Sequence, residues 1–219
     1  QLFAALLADA PPERFVYLWT LDEKTGTGDN DALMGIDALL HLTHALEETM
    51  AVAKLRIDLV TLFPAMADGF LQESVIGKAI DKGLIAFKAH DLRAYSKDKH
   101  RKVDDMPYGG GPGMLMTCQP LFDAVDALAT PDCEVVYLCP DGEQLTNKLA
   151  KELAQKSHLI LISGHYEGID QRIRDKKVTR EVSIGDYVRT NGTLPACVLV
   201  DCLGRQIPGV LGEENSLTG

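Results

Sequence analysis

Two glycine-rich turns about twenty residues apart carry the residue types best suited to holding a ligand. The first is Ser163-Gly164-His165-Tyr166-Glu167-Gly168-Ile169-Asp170, which follows an apolar run over 159–162. The second is Ser183-Ile184-Gly185-Asp186-Tyr187-Val188, closed by Asn191-Gly192-Thr193-Leu194-Pro195. Glycine lets backbone approach a ligand or other backbone closely, so the two turns together imply one pocket built from both. Set between glycines, Glu167 is not easily explained as packing. A third concentration lies in the polar stretch 94–118. There Lys97, Lys99, His100, Arg101 and Lys102 form the densest basic cluster, followed by Tyr108-Gly109-Gly110-Gly111-Pro112-Gly113. A loop this long reads either as a solvated segment or as a phosphate cradle. It contains neither a G-x-x-x-x-G-K-[ST] motif nor a strand–GxGxxG–helix context.

The elements that would position these turns alternate. Strands are expected over 56–63, 84–89, 134–138 and 158–162, with helices over 66–82 (in two pieces around Gly69), 120–129, 146–155 and 194–204. Cys139-Pro140-Asp141-Gly142 reads as a turn. Strands alternating with helices predict an α/β domain with a mainly parallel sheet flanked by helices. Ligands in such sheets sit beyond the carboxyl ends of the strands, where 137–142, 164–168 and 184–185 fall. Residues 1–53 differ in character, with an aromatic strand over 15–19 and a helical pattern over 33–50, and form a small strand-helix appendage. The domain proper is expected over 54–219.

Composition narrows the function classes. The 219 residues are 46% apolar with a net charge of −10. Residues 1–54 carry 3 basic against 9 acidic side chains, and residues 55–219 carry 19 against 23. No bulk positive field exists, so any nucleic-acid contact must come from local basic patches. Five cysteines without a CxxC pair argue for reduced thiols and against a zinc site or disulfide framework. No run approaches the roughly 18–20 apolar residues of a membrane span. The start at Gln1-Leu2-Phe3 reads as a cut end.

Six segments in one order, YGGGPGML, YLCPDGEQL, LISGHYEGIDQRI, SIGDYV, NGTLPA and RQIPGVLG, together resemble the bacterial tRNA (guanine-37-N1)-methyltransferases of the knotted SPOUT class. The resemblance implies a parallel α/β sheet with a C-terminal trefoil knot, a cytoplasmic homodimer, S-adenosylmethionine bound in the knot, and tRNA as substrate. Carried over by motif, the cofactor pocket would use Tyr137, Leu138 and Pro140, then Gly164 and Glu167. Ser183, Ile184, Gly185, Tyr187, Val188, Gly192 and Pro195 would complete it. Arg205 would meet O6 of the guanine as charge develops there. Lys97, Lys99, His100, Arg101, Lys102, Arg172 and Arg174 would contact RNA phosphates. Magnesium dependence is implied too, without a visible ligand set. The first fifty residues, with VYLWTLDE and GIDALLHLTHAL, resemble a fragment of a polyketide synthase ketoreductase.

The sequence departs from the family pattern at Asp141, His165, Asn191 and Thr193, where Gln, Arg, Gly and Glu are common. The family's proposed general base is an Asp shortly after GVLG-x-E. By this alignment the sequence reaches Gly219 one residue before it, leaving Glu213 or Glu214 as substitutes, and the helical tRNA-gripping domain follows later still. The expectation is a chain that binds cofactor better than it turns over. The alternative is a catalytically inactive cofactor-binding or dimerising module.

Overall fold

A computed structural model of the chain describes residues 55–211. The chain divides into two units, Gln1–Met50 and Ala51–Gly219, and everything described belongs to the second. The appendage expected over 1–53, and Glu213 and Glu214, lie outside the described residues.

Five parallel strands form the sheet: β1 (Leu55–Thr61), β2 (Ile85–Asp91), β5 (Cys133–Gln144), β6 (His158–Ser163) and β7 (Arg180–Ser183), in the order β2-β1-β6-β5-β7. A two-residue antiparallel pair, β3 (Asp104–Asp105) and β4 (Leu115–Met116), closes the base of the glycine-rich loop. The central strand β6 is HLILIS with all six residues buried, because helices cover both faces of the sheet. Side chains alternate between the two faces at a period of two. Ile57, Leu59, Val136, Leu138, Leu159 and Leu161 join one core with α1 (Pro64–Leu71), α2 (Ser74–Asp81), α4 (Asn147–Leu153) and α6 (Thr193–Gly204). On the other side Val60, Val135, Tyr137, Ile160 and Ile162 pack with α3 (Cys118–Leu128) and α5 (Gln171–Lys176).

Three details differ from the sequence expectations. The break between α1 and α2 falls after Leu71, not at Gly69. A Cβ on Gly77 would stand 2.2 Å from the Gln72 carbonyl oxygen, and Ser74 takes a left-handed φ of 57°, so the chain turns there. Residues 139–142 are not a turn that ends a strand. Val182 pairs with both Leu138 and Glu143, so the intervening four residues bulge while β5 continues to Gln144. The charged segment after the first glycine turn becomes α5 and the edge strand β7.

Buried hydroxyls tie the ends of the central strands to α6. Thr193, wholly buried at the start of α6, lies 2.8 Å from Thr61 Oγ1 and 3.0 Å from Ser163 Oγ. These contacts fix α6 against the carboxyl ends of β1 and β6, where the candidate turns emerge.

Candidate active site

Three segments meet at the carboxyl end of the sheet around a cavity of about 160 Å³, open at its mouth. Its wall comes from Tyr137, Leu138 and Pro140 of β5, residues 164–168 after β6, and residues 188–192 before α6. The junction is tight because glycine sits on both sides. Gly192 N donates to Gly164 O at 2.7 Å, and a Cβ at Gly192 would stand 2.8 Å from Gly164 N and 2.9 Å from Ser163 Cα. Tyr137 packs its phenol against the same turn, where a Cβ on Gly164 would meet it at 3.0 Å. Burial pushes the Tyr137 hydroxyl up to about 12, so it stays protonated at neutral pH.

The glycine-rich loop supplies a fourth neighbour. Glu167 N donates to Met114 O and Met116 N donates to Gly168 O, each at 3.0 Å. The loop passes so near the Glu167 side chain that a Cβ on Gly113 would lie 2.4 Å from its Cγ. The loop's outer glycines, 109–111, are exposed and left-handed.

The twelve residues carried over for the pocket divide. Tyr137, Leu138, Pro140, Gly164, Glu167, Val188 and Gly192 line the cavity. Ser183, Ile184, Gly185 and Tyr187 stand off its wall, because the turn they form is closed on itself. Ser183 Oγ donates to Gly185 O at 2.9 Å, and Tyr187 Oη donates to Ile184 O at 3.4 Å. Pro195 is buried in the first turn of α6. His165, Tyr166, Gly168, Arg189, Thr190 and Asn191 line the cavity without having been singled out as pocket residues. The signal that could have found them is contiguity, since both turns contribute whole runs of backbone.

Arg205 is exposed at the far end of α6. A 12-residue helix spans about 18 Å, so within one chain Arg205 and the cavity at Gly192 stand at opposite ends of one rod. Among the residues proposed for RNA, Lys97 pairs with Asp123 at 2.7 Å and Lys102 with Asp105 at 3.7 Å, while Lys99, His100 and Arg101 are exposed. Arg172 pairs with Asp170, which also caps α5. Arg174 turns inward, its guanidinium bonded to Glu181 and to Asp141 and lying 5.6 Å over the Tyr137 ring. That clamp bears on metal binding. Cys139, Asp141 and Glu181 bring ligand-type atoms within 4.8 Å of one another, and among the described residues no other such group exists. Arg174 already satisfies both carboxylates and holds Asp141 below the usual carboxylate range, while burial pushes the Cys139 thiol up to about 12. A neutral thiol and two arginine-bound carboxylates do not fit a magnesium ion.

A family model described as tRNA (Guanine-1)-methyltransferase TrmD matches residues 55–219. A tRNA (guanine-N(1)-)-methyltransferase of Dictyoglomus turgidum is 53% identical over 163 residues, covering 74% of this chain and 66% of that protein. Proteins of the same name from Ruminiclostridium cellulolyticum and Geobacillus kaustophilus are 50% and 51% identical, over 72% and 67% of their own lengths. The chain thus spans about two thirds of the length of these curated relatives. On the strength of this match over most of its length, the chain belongs to the tRNA (guanine-1)-methyltransferase TrmD family.

Proposed function

We propose that the cavity binds S-adenosylmethionine and that the domain over 54–219 directs its methyl group to N1 of a guanine in tRNA, at position 37. One observation carries the reading. Two glycine turns, 164–168 and 188–192, meet through a glycine-to-glycine backbone contact beside the bulge of β5 and a cavity lined by Glu167. The wall mixes apolar Leu138 and Val188 with backbone donors and acceptors, as an adenine requires.

The bound cofactor supplies an electrophilic methyl on a sulfonium. The chain's own residues do the remainder. Glu167 places a carboxylate opposite that positive charge, while neutral Tyr137 and the glycines shape the floor. Guanine N1 must lose its proton as it attacks, which calls for a general base within hydrogen-bond reach. The base must also leave its stack to reach a buried methyl. Arg205 is assigned the developing charge on O6. Its position at the end of α6 remote from the cavity supports a homodimer in which two copies frame the guanine. The exposed apolar side chains of Tyr187, Val188 and Leu194, on or next to the 188–192 wall, fit a surface covered by such a copy.

Further family features are proposed on the same ground. The contact of Gly192 with Gly164, and the Thr193 tie to β1 and β6, support a threaded C-terminal third of trefoil-knot type. Lys97, Lys99, His100, Arg101, Lys102 and Arg172 are the phosphate-contact candidates with exposed side chains, and a cytoplasmic tRNA modifier is the setting that fits. No step is routed through magnesium. Calorimetric titration with S-adenosylmethionine, followed by methyl transfer to tRNA transcripts carrying G37 or A37, tests the reading. Binding and G37-dependent transfer support it, and a folded chain that binds no S-adenosylmethionine rejects it.

A further inference from the structure

Residues 139–142 of β5 carry one side of the cavity without ladder pairing to β7, since Val182 pairs with Leu138 and next with Glu143. Pro140 lines the cavity, and both it and Asp141 are exposed. Proline also offers no N–H to a neighbour. A four-residue bulge with so little of its own to bury keeps one position only if side chains hold it there.

Arg174 supplies that hold from α5. Its Nη2 donates to Asp141 Oδ2 and its Nε to Glu181 Oε1, both at 2.7 Å. Glu181 belongs to β7, so one guanidinium joins the bulge to the edge strand beside it. The same group lies 5.6 Å from the centre of the Tyr137 ring, and Tyr137 is the wall residue whose phenol meets the Gly164 turn. A planar fork of donors fixes the direction as well as the distance of the carboxylates it binds. The bond to Arg174 holds Asp141 below the usual carboxylate range, so the pair is ionised at neutral pH. The Arg174 side chain is 24% exposed against 74% for Arg172, so only the latter is turned to water. A guanidinium already engaged by two carboxylates is poorly placed to serve an RNA phosphate, the contact expected of it from sequence.

We propose that Arg174 is a positioning residue for methyl-donor binding. Through Asp141 it sets where Pro140 stands, and through its own guanidinium it sets where the Tyr137 ring stands. Arg174 does not itself line the cavity. This rests on the cavity being the S-adenosylmethionine site. Lys177, at the end of the same helix, provides the comparison. It pairs with Asp126 and lies 5.1 Å from the centre of the Phe122 ring, and none of the three lines the cavity.

The test is calorimetric titration of the full chain with S-adenosylmethionine, in wild type and in folded variants. Arg174→Gln is expected to bind about tenfold more weakly, near the lower end of what a hydrogen bond to a charged group is worth. Asp141→Ala leaves Arg174 on Glu181 and should also weaken binding. The double variant should bind no more weakly than Arg174→Gln alone, because both changes break one contact. Arg174→Lys keeps the charge without the fork and should recover part of the loss, while Lys177→Ala should bind as wild type does. If Arg174 only stabilised the fold, Arg174→Gln and Lys177→Ala would bind alike, and that result overturns the proposal. Wild-type affinity in Asp141→Ala overturns it too, as do losses that multiply in the double variant. Unchanged S-adenosylmethionine affinity in Arg174→Gln, with the salt slope of tRNA binding lowered by about 1, would return the arginine to the RNA interface instead. Should Arg174→Gln not fold, the exposed Asp141→Ala change decides alone. No binding of S-adenosylmethionine to folded wild type would overturn the reading of the cavity, and this inference with it.

Discussion

Adding one methyl group at position 192 should test the whole site. Gly192 has an ordinary φ of −86°, so alanine there meets no backbone strain, and only the close approach matters. Its Cβ would stand 2.8 Å from Gly164 N, 2.9 Å from Ser163 Cα and 3.1 Å from Ser163 C, all of them backbone atoms that cannot swing aside. Overpacking of this kind costs about 1–3 kcal/mol, and lengthening the 2.7 Å bond from Gly192 N to Gly164 O forfeits about 1 kcal/mol more. Gly192→Ala is therefore expected to lose about 2–4 kcal/mol, which for a domain of this size lowers Tm by about 5–15 °C. Gly69→Ala is the control. Its Cβ would meet nothing within 4 Å inside α1, and replacing a helical glycine there should stabilise by about 0.5–1 kcal/mol. Urea denaturation of both variants, with and without S-adenosylmethionine, reads the difference. Because Gly192 and Gly164 both line the cavity, Gly192→Ala should also lose the ligand-induced rise in midpoint expected of wild type. If its midpoint matches wild type in both conditions, the two turns are not in the contact described and the site reasoning fails.

Three further perturbations probe separate parts of the structure. Thr193→Val keeps shape but removes the partner of the buried Ser163 hydroxyl and one of the two partners of Thr61 Oγ1, which keeps the bond from Phe63 N, and should cost about 1–3 kcal/mol by chemical denaturation; a neutral result would mean the Ser163 hydroxyl is satisfied elsewhere. Burial pushes the Asp58 carboxyl up, but hydrogen bonds from His90 at 2.6 Å and His158 at 2.9 Å, with the charge of Arg56, outweigh it and leave the pKa lowered. A folded pKa below the unfolded value of about 3.9 gives stability that is present above that pH and lost as pH falls towards the folded pKa. Wild type should therefore lose stability below about pH 4 more steeply than Asp58→Asn, and parallel acid titrations of the denaturation midpoint would contradict this. Lys99→Ala with Arg101→Ala should weaken tRNA binding and lower the slope of log K against log salt by about 2; an unchanged slope removes the 97–102 patch from the interface.

Much of the α/β frame was legible because both sheet faces are covered. Runs such as LILIS cannot alternate with polar residues when every position is buried, and short apolar strands separated by helical spacing follow directly. The chemistry-bearing turns were legible as glycine density, and two of them contribute to the cavity wall. The parts that were not legible depend on pairing at a distance. Cys139-Pro140-Asp141-Gly142 has turn chemistry, and the chain does bulge there. Only the edge strand β7, arriving forty residues later, shows that the strand resumes, and a Cβ on Gly142 would lie 2.5 Å from Val182 N. The third loop was expected to meet the cavity through Ser183, Ile184, Gly185, Tyr187, Val188, Gly192 and Pro195; its first half is bonded to itself, while its second half, 188–192, forms the wall. Nothing in the sequence sets Arg189 apart from the other charged residues of the loops. What distinguishes it is the absence of a partner for buried atoms, a property of three-dimensional surroundings that spacing does not encode.

The place of α6 in the chain bears on how the protein is made. Its buried residues Ala196, Cys197, Leu199, Val200 and Leu203 close the core face built by β1, α1, α2 and β6, elements that leave the ribosome up to 140 residues earlier. Until α6 emerges, a nascent chain displays an uncovered apolar sheet and an unfinished cavity at once. Synthesis that stalls before residue 193 would yield a sticky product rather than a weak enzyme, and quality control rather than catalysis would decide its fate.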